Sequence, residues 1–439
     1  MTTTATLPDL VAEKLPAIQK LITQGKLPDA ARKLNAVSRT APSDPRIFLM
    51  GSRLAEASGN AAGAQDAARR ALTLAPEWPA AVTELAFLLA RQNQLQEAVT
   101  LAQRAVELDG DNPQVLARVI DIAHRAQNFE LAIQWLRRAI AMAPGATDIR
   151  LLLARDLRLT GKLAESRALY DTLIEEMPAN GLSIMGRVQT ALGTGDMAQA
   201  QNDCETLLAL VPGNEEVLFY RELAHGRTPN RQPAAMVRSM YDGFAEIYDQ
   251  HIVAGLKYKL PRDVAKSIAS RYAGKPLNVL DLGCGTGLLG ACLGRINGSL
   301  VGVELSPPMI QQAARHNVYD KFHNVDLLDA LEATPESLYD VVAALDVFIY
   351  AGDMSAAIPN AFRILRAGGQ FIFSCEEAAE DEANMVLRPT QRFAHKASHI
   401  ESLSKAAGFG PVTIEKMVLR NENYEPIRGF LVTAQKSGL

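Results

Sequence analysis

The chain of 439 residues is dominated in its first half by a 34-residue period. A turn residue recurs with that spacing from Pro42 onwards, at Pro42, Pro76, Gly110, Pro144, Pro178 and Pro212. A column of small residues precedes these turns with the same period, at Ala30, Ala64, Ala98, Ala132, Ser166 and Ala200. A repeat of this length holds one supersecondary unit that cannot bury its apolar face alone, so the period predicts a stack of similar units.

A unit of helix, turn, helix and proline over 34 residues is typical of tetratricopeptide repeats. Six repeats over roughly 9–212 exceed the three or so that a stable stack needs, and 214–225 is predicted to be a closing helix. We therefore expect an all-α tetratricopeptide solenoid over 1–225. The polar, proline-containing stretch that follows predicts a linker over 226–235.

The second half contains a glycine-rich turn, Gly283, Gly285 and Gly287, directly after an apolar run that ends near Asp281. Dinucleotide sites want a glycine or alanine where Leu288 stands, and a phosphate-binding P-loop needs a lysine there. Asp281 would repel a pyrophosphate but attract a cationic ligand, which favours S-adenosylmethionine over NAD. Glu304 lies where nucleotide-binding folds place an acid on ribose hydroxyls.

These residues resemble the class I S-adenosylmethionine-dependent methyltransferases over roughly 236–439. The resemblance implies an α/β Rossmann-like fold with a seven-stranded sheet, closed by a hairpin at 412–419 and 429–434. It also implies that the glycine turn and Asp281 hold the methionine end, Glu304 the ribose and Asp326 the adenine amino group, while Asp346 lines the transfer site. The implied cofactor-binding residues are Asp281, Gly283, Gly285, Gly287, Glu304, Leu305, Asp326, Leu327, Asp346 and Tyr248.

Tyr248 belongs to a segment rich in tyrosine that precedes the first strand. Related methyltransferases carry a similar helix folded over the cofactor, which makes Tyr241, Tyr248 and Tyr258 candidates to pack on it. An amphipathic helix that buries its aromatic side chains against the sheet is an equally good interpretation.

Composition restricts the partners. The net charge of −4 and a pI near 6.0 give no electrostatic reason to expect nucleic acid. No apolar run is long enough to span a bilayer, and the first residues lack the pattern of a secretory signal. Four scattered cysteines fit a reducing cytosol, so we expect a cytoplasmic protein. His395 and His399 lack further ligands nearby, and no metal is expected.

No catalytic residue is assigned from the sequence. Methyl transfer from a sulfonium is an in-line displacement that depends on alignment and on exclusion of water, and a general base helps only when the acceptor must lose a proton. Asp346, Tyr350, Asp353 and His395 remain candidates for that base. The fourth strand end lacks the Asn/Asp-Pro-Pro-Tyr/Phe pattern of enzymes that methylate base or glutamine nitrogens.

Two classes of function stay open. In the first, an active methyltransferase uses its repeats to recruit a protein or carrier-bound acceptor, or it methylates a small molecule and uses the repeats for assembly. In the second, the chain is an interaction scaffold whose methyltransferase fold binds the cofactor without catalysis. The whole arrangement resembles bacterial predicted methyltransferases that carry tetratricopeptide repeats, a group defined by architecture, so neither the acceptor nor the oligomeric state follows.

Overall fold

A computed structural model describes residues 9–245, 248–249, 252, 258–422 and 425–438. Residues 1–8, for which we predict no secretory signal, lie outside these ranges. Residues 246–247 in the middle of the tyrosine segment also lie outside them. The chain divides into two compact units, Met1–Gln199 and Ala200–Leu439. No helix in the described ranges is long and apolar enough to cross a bilayer.

The predicted all-α region of tetratricopeptide repeats is confirmed, and the described residues from 9 to 225 form thirteen helices. Its helices are α1 (Leu10–Thr23), α2 (Leu27–Thr40), α3 (Pro45–Ala57), α4 (Ala61–Leu74), α5 (Pro79–Arg91), α6 (Leu95–Asp109), α7 (Pro113–Arg125), α8 (Phe129–Met142), α9 (Thr147–Leu159), α10 (Leu163–Glu176), α11 (Gly181–Thr194), α12 (Met197–Leu210) and α13 (Glu215–Ala224).

The column of small residues belongs to the second helix of each repeat. All six of its members are fully buried, from Ala30 to Ala200. Ser166 fits the column because its hydroxyl donates to the carbonyl of Ala154 at 2.8 Å, so the buried polar group is satisfied. The 34-residue period thus places a small, buried residue at the same position of every repeat.

In the residues of the second unit that the structure describes, eight further helices and nine strands follow. The helices are α14 (Ala234–Phe244), α15 (Leu260–Arg271), α16 (Leu288–Leu293), α17 (Pro307–Ala314), α18 (Leu327–Ala333), α19 (Phe348–Ala351), α20 (Ala357–Ile364) and α21 (Ala397–Ala406). The strands are β1 (Leu277–Leu282), β2 (Gly298–Val303), β3 (Lys321–His323), β4 (Tyr339–Ala344), β5 (Leu365–Glu377), β6 (Met385–Leu387), β7 (Phe393–His395), β8 (Phe409–Glu422) and β9 (Glu425–Lys436).

Seven strands form the predicted sheet. β3, β2, β1, β4 and β5 are parallel in that order, β9 runs antiparallel beside β5, and β8 pairs with β9 to close the predicted hairpin. The continuous apolar runs of β1 and β4 are buried on both faces, as parallel strands between helix layers require. Because the strands are parallel, their carboxyl ends share one edge, where the site lies.

Two short strands were not predicted. β7 pairs with Glu376 and Glu377 at the carboxyl end of β5, and β6 pairs with β7 in an antiparallel manner, which extends the sheet to nine strands. Each has only three residues, too few for a recognisable alternation in the sequence. His395 ends β7 and therefore precedes α21 as a strand residue.

The unit division falls before the predicted linker and leaves α13 in the same unit as the sheet. The side chain of Gln201 in α12 donates to the carbonyl of Ala224 at the end of α13. Beyond α13, the backbone of Asn230 and Gln232 is hydrogen-bonded to the loop after β4. The predicted linker is thus bound along the second unit, although its polar composition resembles that of a free spacer.

Candidate functional site

A cleft lies beyond the carboxyl ends of β1, β2 and β4, with an empty volume of about 760 Å³ including the part open to solvent. Eight of the ten residues implied to bind a cofactor line it, namely Tyr248, Gly283, Gly285, Glu304, Leu305, Asp326, Leu327 and Asp346. The other two, Asp281 and Gly287, lie behind this lining. The tertiary structure therefore brings residues more than 90 positions apart in the sequence into one wall.

The glycine turn needs glycine for two separate reasons. Gly283 and Gly285 have φ angles of +63° and +55°, a region that side chains rarely adopt. A Cβ on Gly283 would also stand 2.5 Å from the side chain of Val347, which follows β4. Gly287 has a φ of +82° and abuts Ala313 and Tyr319, so it allows close packing of the turn against the layer beneath it.

Glu304 directly follows β2 and is fixed by backbone amides. The amide of Gly285 donates to one carboxylate oxygen at 2.9 Å and the amide of Ser306 donates to the other at 2.9 Å. Burial raises the pKa of Glu304, while these two hydrogen bonds oppose that shift. Each carboxylate oxygen can accept a second hydrogen bond, which suits two adjacent hydroxyl donors.

Asp281 lies under the glycine turn and is bonded to a partner that the sequence did not reveal. The Tyr319 hydroxyl donates to its carboxylate at 2.6 Å and in turn accepts from the amide of Gly290 at 3.2 Å. Burial raises the pKa of Asp281 to about 7, because the hydrogen bond from Tyr319 only partly offsets the loss of solvation. Tyr319 follows Asp281 by 38 residues and carries no motif.

Asp326 occupies the start of α18 at the other end of the cleft. One carboxylate oxygen caps the helix by accepting from the amide of Leu328 at 2.9 Å. The other accepts from the guanidinium of Arg231 at 3.0 Å. Arg231 and Gln232 also line the cleft, although they belong to the predicted linker.

Asp346 follows β4 in a left-handed backbone conformation with a φ of +59°. Its amide donates to the Ser374 hydroxyl at 2.8 Å, and its carboxylate lies 2.5 Å from the guanidinium of Arg420. Arg420, in β8, is 1% exposed and also pairs with Glu376 at 2.5 Å and with Glu422 at 2.8 Å. Asp346 is therefore held by a buried charge network that spans three strands.

Three tyrosines line the end of the cleft near Asp346. The Tyr241 hydroxyl donates to the Tyr350 hydroxyl at 3.1 Å, and the Tyr241 ring makes edge contacts with Tyr248 and Tyr350 at 5.8 Å between centroids. Burial raises the pKa of Tyr241 and Tyr248 far above neutral pH, so both phenols are uncharged. Tyr258 is buried in the core beside the sheet and does not line the cleft.

The tyrosine segment is tied to the glycine turn and to the loop after β2. Asp242 accepts a hydrogen bond from the Ser306 hydroxyl at 2.6 Å, and Asp249 accepts one from the Thr286 hydroxyl. Tyr241 and Tyr248 line the cleft and are partly buried, so both interpretations of this segment stay predictions.

Two of the four candidate bases lie away from the cleft. His395 is buried with Nε2 bonded to the carbonyl of Gly352 at 2.5 Å, and burial lowers its pKa. Asp353 accepts from the amide and hydroxyl of Ser355 at 2.8 and 3.0 Å. Asp346 and Tyr350 line the cleft. No group of three or more His, Cys, Asp or Glu side chains in the described ranges is arranged to hold a metal ion.

Comparison with known proteins agrees with this geometry. A family model described as a methyltransferase domain matches residues 280–371, and a tetratricopeptide repeat model matches 49–113, 83–147 and 120–181. The mitochondrial ubiquinone biosynthesis O-methyltransferase of Mus musculus is 27% identical over 228 residues, which cover 47% of this chain and 60% of that protein. The chain thus spans less than two thirds of this relative's length.

Solved structures resemble each half separately. Magnesium protoporphyrin IX methyltransferase from Synechocystis PCC 6803, with bound SAH, matches with 20% identity and a TM-score of 0.37 over 46% of this chain and 99% of that chain. YrrB, a TPR protein with an unusual peptide-binding site, matches with 15% identity and a TM-score of 0.39 over 43% of this chain and 97% of that chain.

The family match identifies residues 280–371 as a methyltransferase domain, and the order of the strands is that of the predicted Rossmann-like sheet. The chain as a whole combines tetratricopeptide repeats with a methyltransferase domain.

Proposed function

We propose that the protein is an S-adenosylmethionine-dependent methyltransferase whose repeats recruit a protein or carrier-bound acceptor. The proposal assigns 1–225 to the recruiting solenoid, 226–235 to a linker and 236–439 to the catalytic domain. One observation carries it: Glu304, Asp326 and Asp346 follow successive parallel strands and face one cleft with the glycine turn.

Each part of the cleft suits one part of the cofactor. S-adenosylmethionine supplies an electrophilic methyl group on a sulfonium. Glu304 accepts from the ribose hydroxyls, Asp326 accepts from the adenine amino group, and Leu305 and Leu327 offer apolar contacts to the base. Asp281 and the glycine turn provide a negative charge and close backbone approach for the methionine end.

Asp346 and three tyrosines form the methyl-transfer site at the other end of the cleft. Tyr241, Tyr248 and Tyr350 exclude water from the transfer site, and their rings favour a cationic sulfonium over its neutral product. Unlike Asp326, Asp346 does not cap a helix with its side chain. Its conformation is set by Arg420 and Ser374. Alignment by a rigid site is the main catalytic requirement of such a displacement.

Calorimetry with S-adenosylhomocysteine tests the cofactor assignment. Glu304→Gln places an amide NH₂ against one of the two backbone donors, so we expect at least about tenfold weaker binding than in the wild type. Glu336→Gln, an exposed change of the same chemistry, should bind like the wild type. Absence of binding to the unmodified chain would refute the proposal.

The acceptor is tested with methyl-labelled cofactor and a fractionated native lysate incubated with the full chain. Label in macromolecules supports the recruiting role, in keeping with the use of tetratricopeptide repeats for protein interactions. Cofactor binding without label in any fraction would instead favour a scaffold that retains a non-catalytic fold.

A second candidate is methylation of a small molecule, with the repeats used for assembly. It is favoured by the relative in ubiquinone biosynthesis, which is an O-methyltransferase by name. Label confined to the small-molecule fraction would support it. Under either candidate we propose a cytoplasmic protein without a nucleic acid or membrane partner, in which the four cysteines stay free thiols.

A further inference from the structure

The segment between α13 and α14, residues 226–233, is seated across the cleft and is called the connector below. The amide of Asp353 donates to the carbonyl of Asn230 at 2.7 Å, and the amide of Gln232 donates to the carbonyl of Tyr350 at 2.9 Å. The Gln232 side chain donates to the carbonyl of Gln391. The connector is therefore fixed to the loop after β4 by backbone contacts on both sides of Arg231.

The close contact between the connector and the loop after β4 requires a glycine in that loop. A Cβ on Gly352 would stand 2.2 Å from the carbonyl oxygen of Asn230, and Gly352 has a φ of +56°. The loop therefore approaches the connector more closely than a side chain would allow.

Arg231 reaches away from these contacts to the opposite end of the cleft. Its guanidinium is 3.0 Å from the Asp326 carboxylate and its side chain is 38% exposed, so it contributes little to the core. The connector is already held by Asn230 and Gln232, so this ion pair is not needed to seat it. An ion pair this exposed also adds little to stability. A role of this ion pair in ligand binding at the cleft explains its presence better than a role in stability.

The pair fixes the orientation of Asp326. One of its oxygens is bound by the amide of Leu328 and the other by Arg231, so the carboxylate cannot rotate. Each oxygen still has a lone pair for a further donor. A preorganised acceptor loses less freedom on binding and holds its ligand more tightly.

We propose that Arg231 of the connector is a positioning residue that holds Asp326 towards the adenine amino group. This inference rests on the proposed function, because it assumes an adenosine ligand. It places a determinant of base recognition outside the methyltransferase motifs, in the segment that composition marks as a linker.

The test measures binding of two probes to the full chain by calorimetry. S-adenosylhomocysteine has the 6-amino donor, and S-inosylhomocysteine has an oxo group in its place. The wild type should prefer the first by about tenfold or more, because the second sets an oxygen against a carboxylate. Arg231→Ala should lose most of this preference and approach the ratio measured for Asp326→Ala.

Arg227→Ala is the matched control, since Arg227 pairs with Glu222 on the surface of the same connector. It should keep the wild-type ratio of the two affinities. A wild-type ratio in Arg231→Ala, with binding intact, would overturn the role of Arg231 and leave the proposed function standing. No binding of either probe to the wild type would refute both.

Discussion

Asp281 is a buried acid whose ionised form lowers the stability of the folded chain. It is buried at 3% exposure and its pKa of about 7 lies far above the value of an exposed aspartate, so folding opposes its ionised form. The folded chain binds a proton there that the unfolded chain releases, so this residue makes folding less favourable as the pH rises from about 4 to about 7. A cation bound beside it would reverse that penalty.

Asp281→Asn removes the penalty and keeps an acceptor for Tyr319. We expect the variant to gain stability over the wild type as the pH rises, by up to about 4 kcal/mol near neutral pH and by little at about pH 4. Urea unfolding at the two pH values measures the difference. The same variant should bind S-adenosylhomocysteine more weakly, and a stability difference independent of pH would contradict the assignment.

Arg420 is the opposite case, a buried cation surrounded by three carboxylates. Arg420→Ala leaves Asp346 and Glu376 unpaired in the interior, which should cost about 3–5 kcal/mol of unfolding free energy. Lys416→Ala in the same strand breaks only the exposed pair with Glu377 and should stay near the wild type. Denaturant titrations compare the two, and an equal effect would show that the network does not hold Asp346.

At the scale of elements, α11 shows how the solenoid depends on residue size. Gly186 faces Tyr170 of α10 so closely that a Cβ would stand 2.2 Å from the ring. The period alone does not predict this close contact between a glycine and a tyrosine.

Two glycines of α11 provide a matched test of this packing. Gly186→Ala should destabilise the solenoid by about 1–3 kcal/mol through overpacking. Gly193→Ala meets Leu163 no closer than 3.4 Å and should be neutral or stabilising by up to about 1 kcal/mol, because alanine is the better helix former. Thermal unfolding followed by circular dichroism would reveal both, and similar shifts would contradict the close contact.

Some helices and strands can be predicted from the sequence, and others cannot. The helices of the repeats and β1, β2 and β4 follow from periodicity and apolar runs, and the resemblance to methyltransferases predicts the hairpin of β8 and β9. β6 and β7 are too short to show a pattern, and they are recognised only by their pairing, β7 with the end of β5 and β6 with β7. The connector resembles a linker in composition, and its structure is set by the loop that contains Gly352.

At the scale of the whole molecule, two compact units predict two unfolding transitions, because each unit has its own apolar core. S-adenosylhomocysteine should raise only one of them, by about 2.7 kcal/mol at a hundredfold excess over its dissociation constant. Differential scanning calorimetry of the full chain measures this. A single transition that moves as a whole would show that the units unfold together.

The sequence by itself determined the solenoid, the glycine turn and the acids Asp281, Glu304, Asp326 and Asp346, because local spacing and strand ends impose them. Only the tertiary structure decided the partners of those acids. Tyr319, Arg231 and Arg420 reach them from 38, 95 and 74 residues away, and no local pattern marks them. The reason is physical: a buried carboxylate needs a donor from whichever element packs beside it, and packing is not encoded at short range.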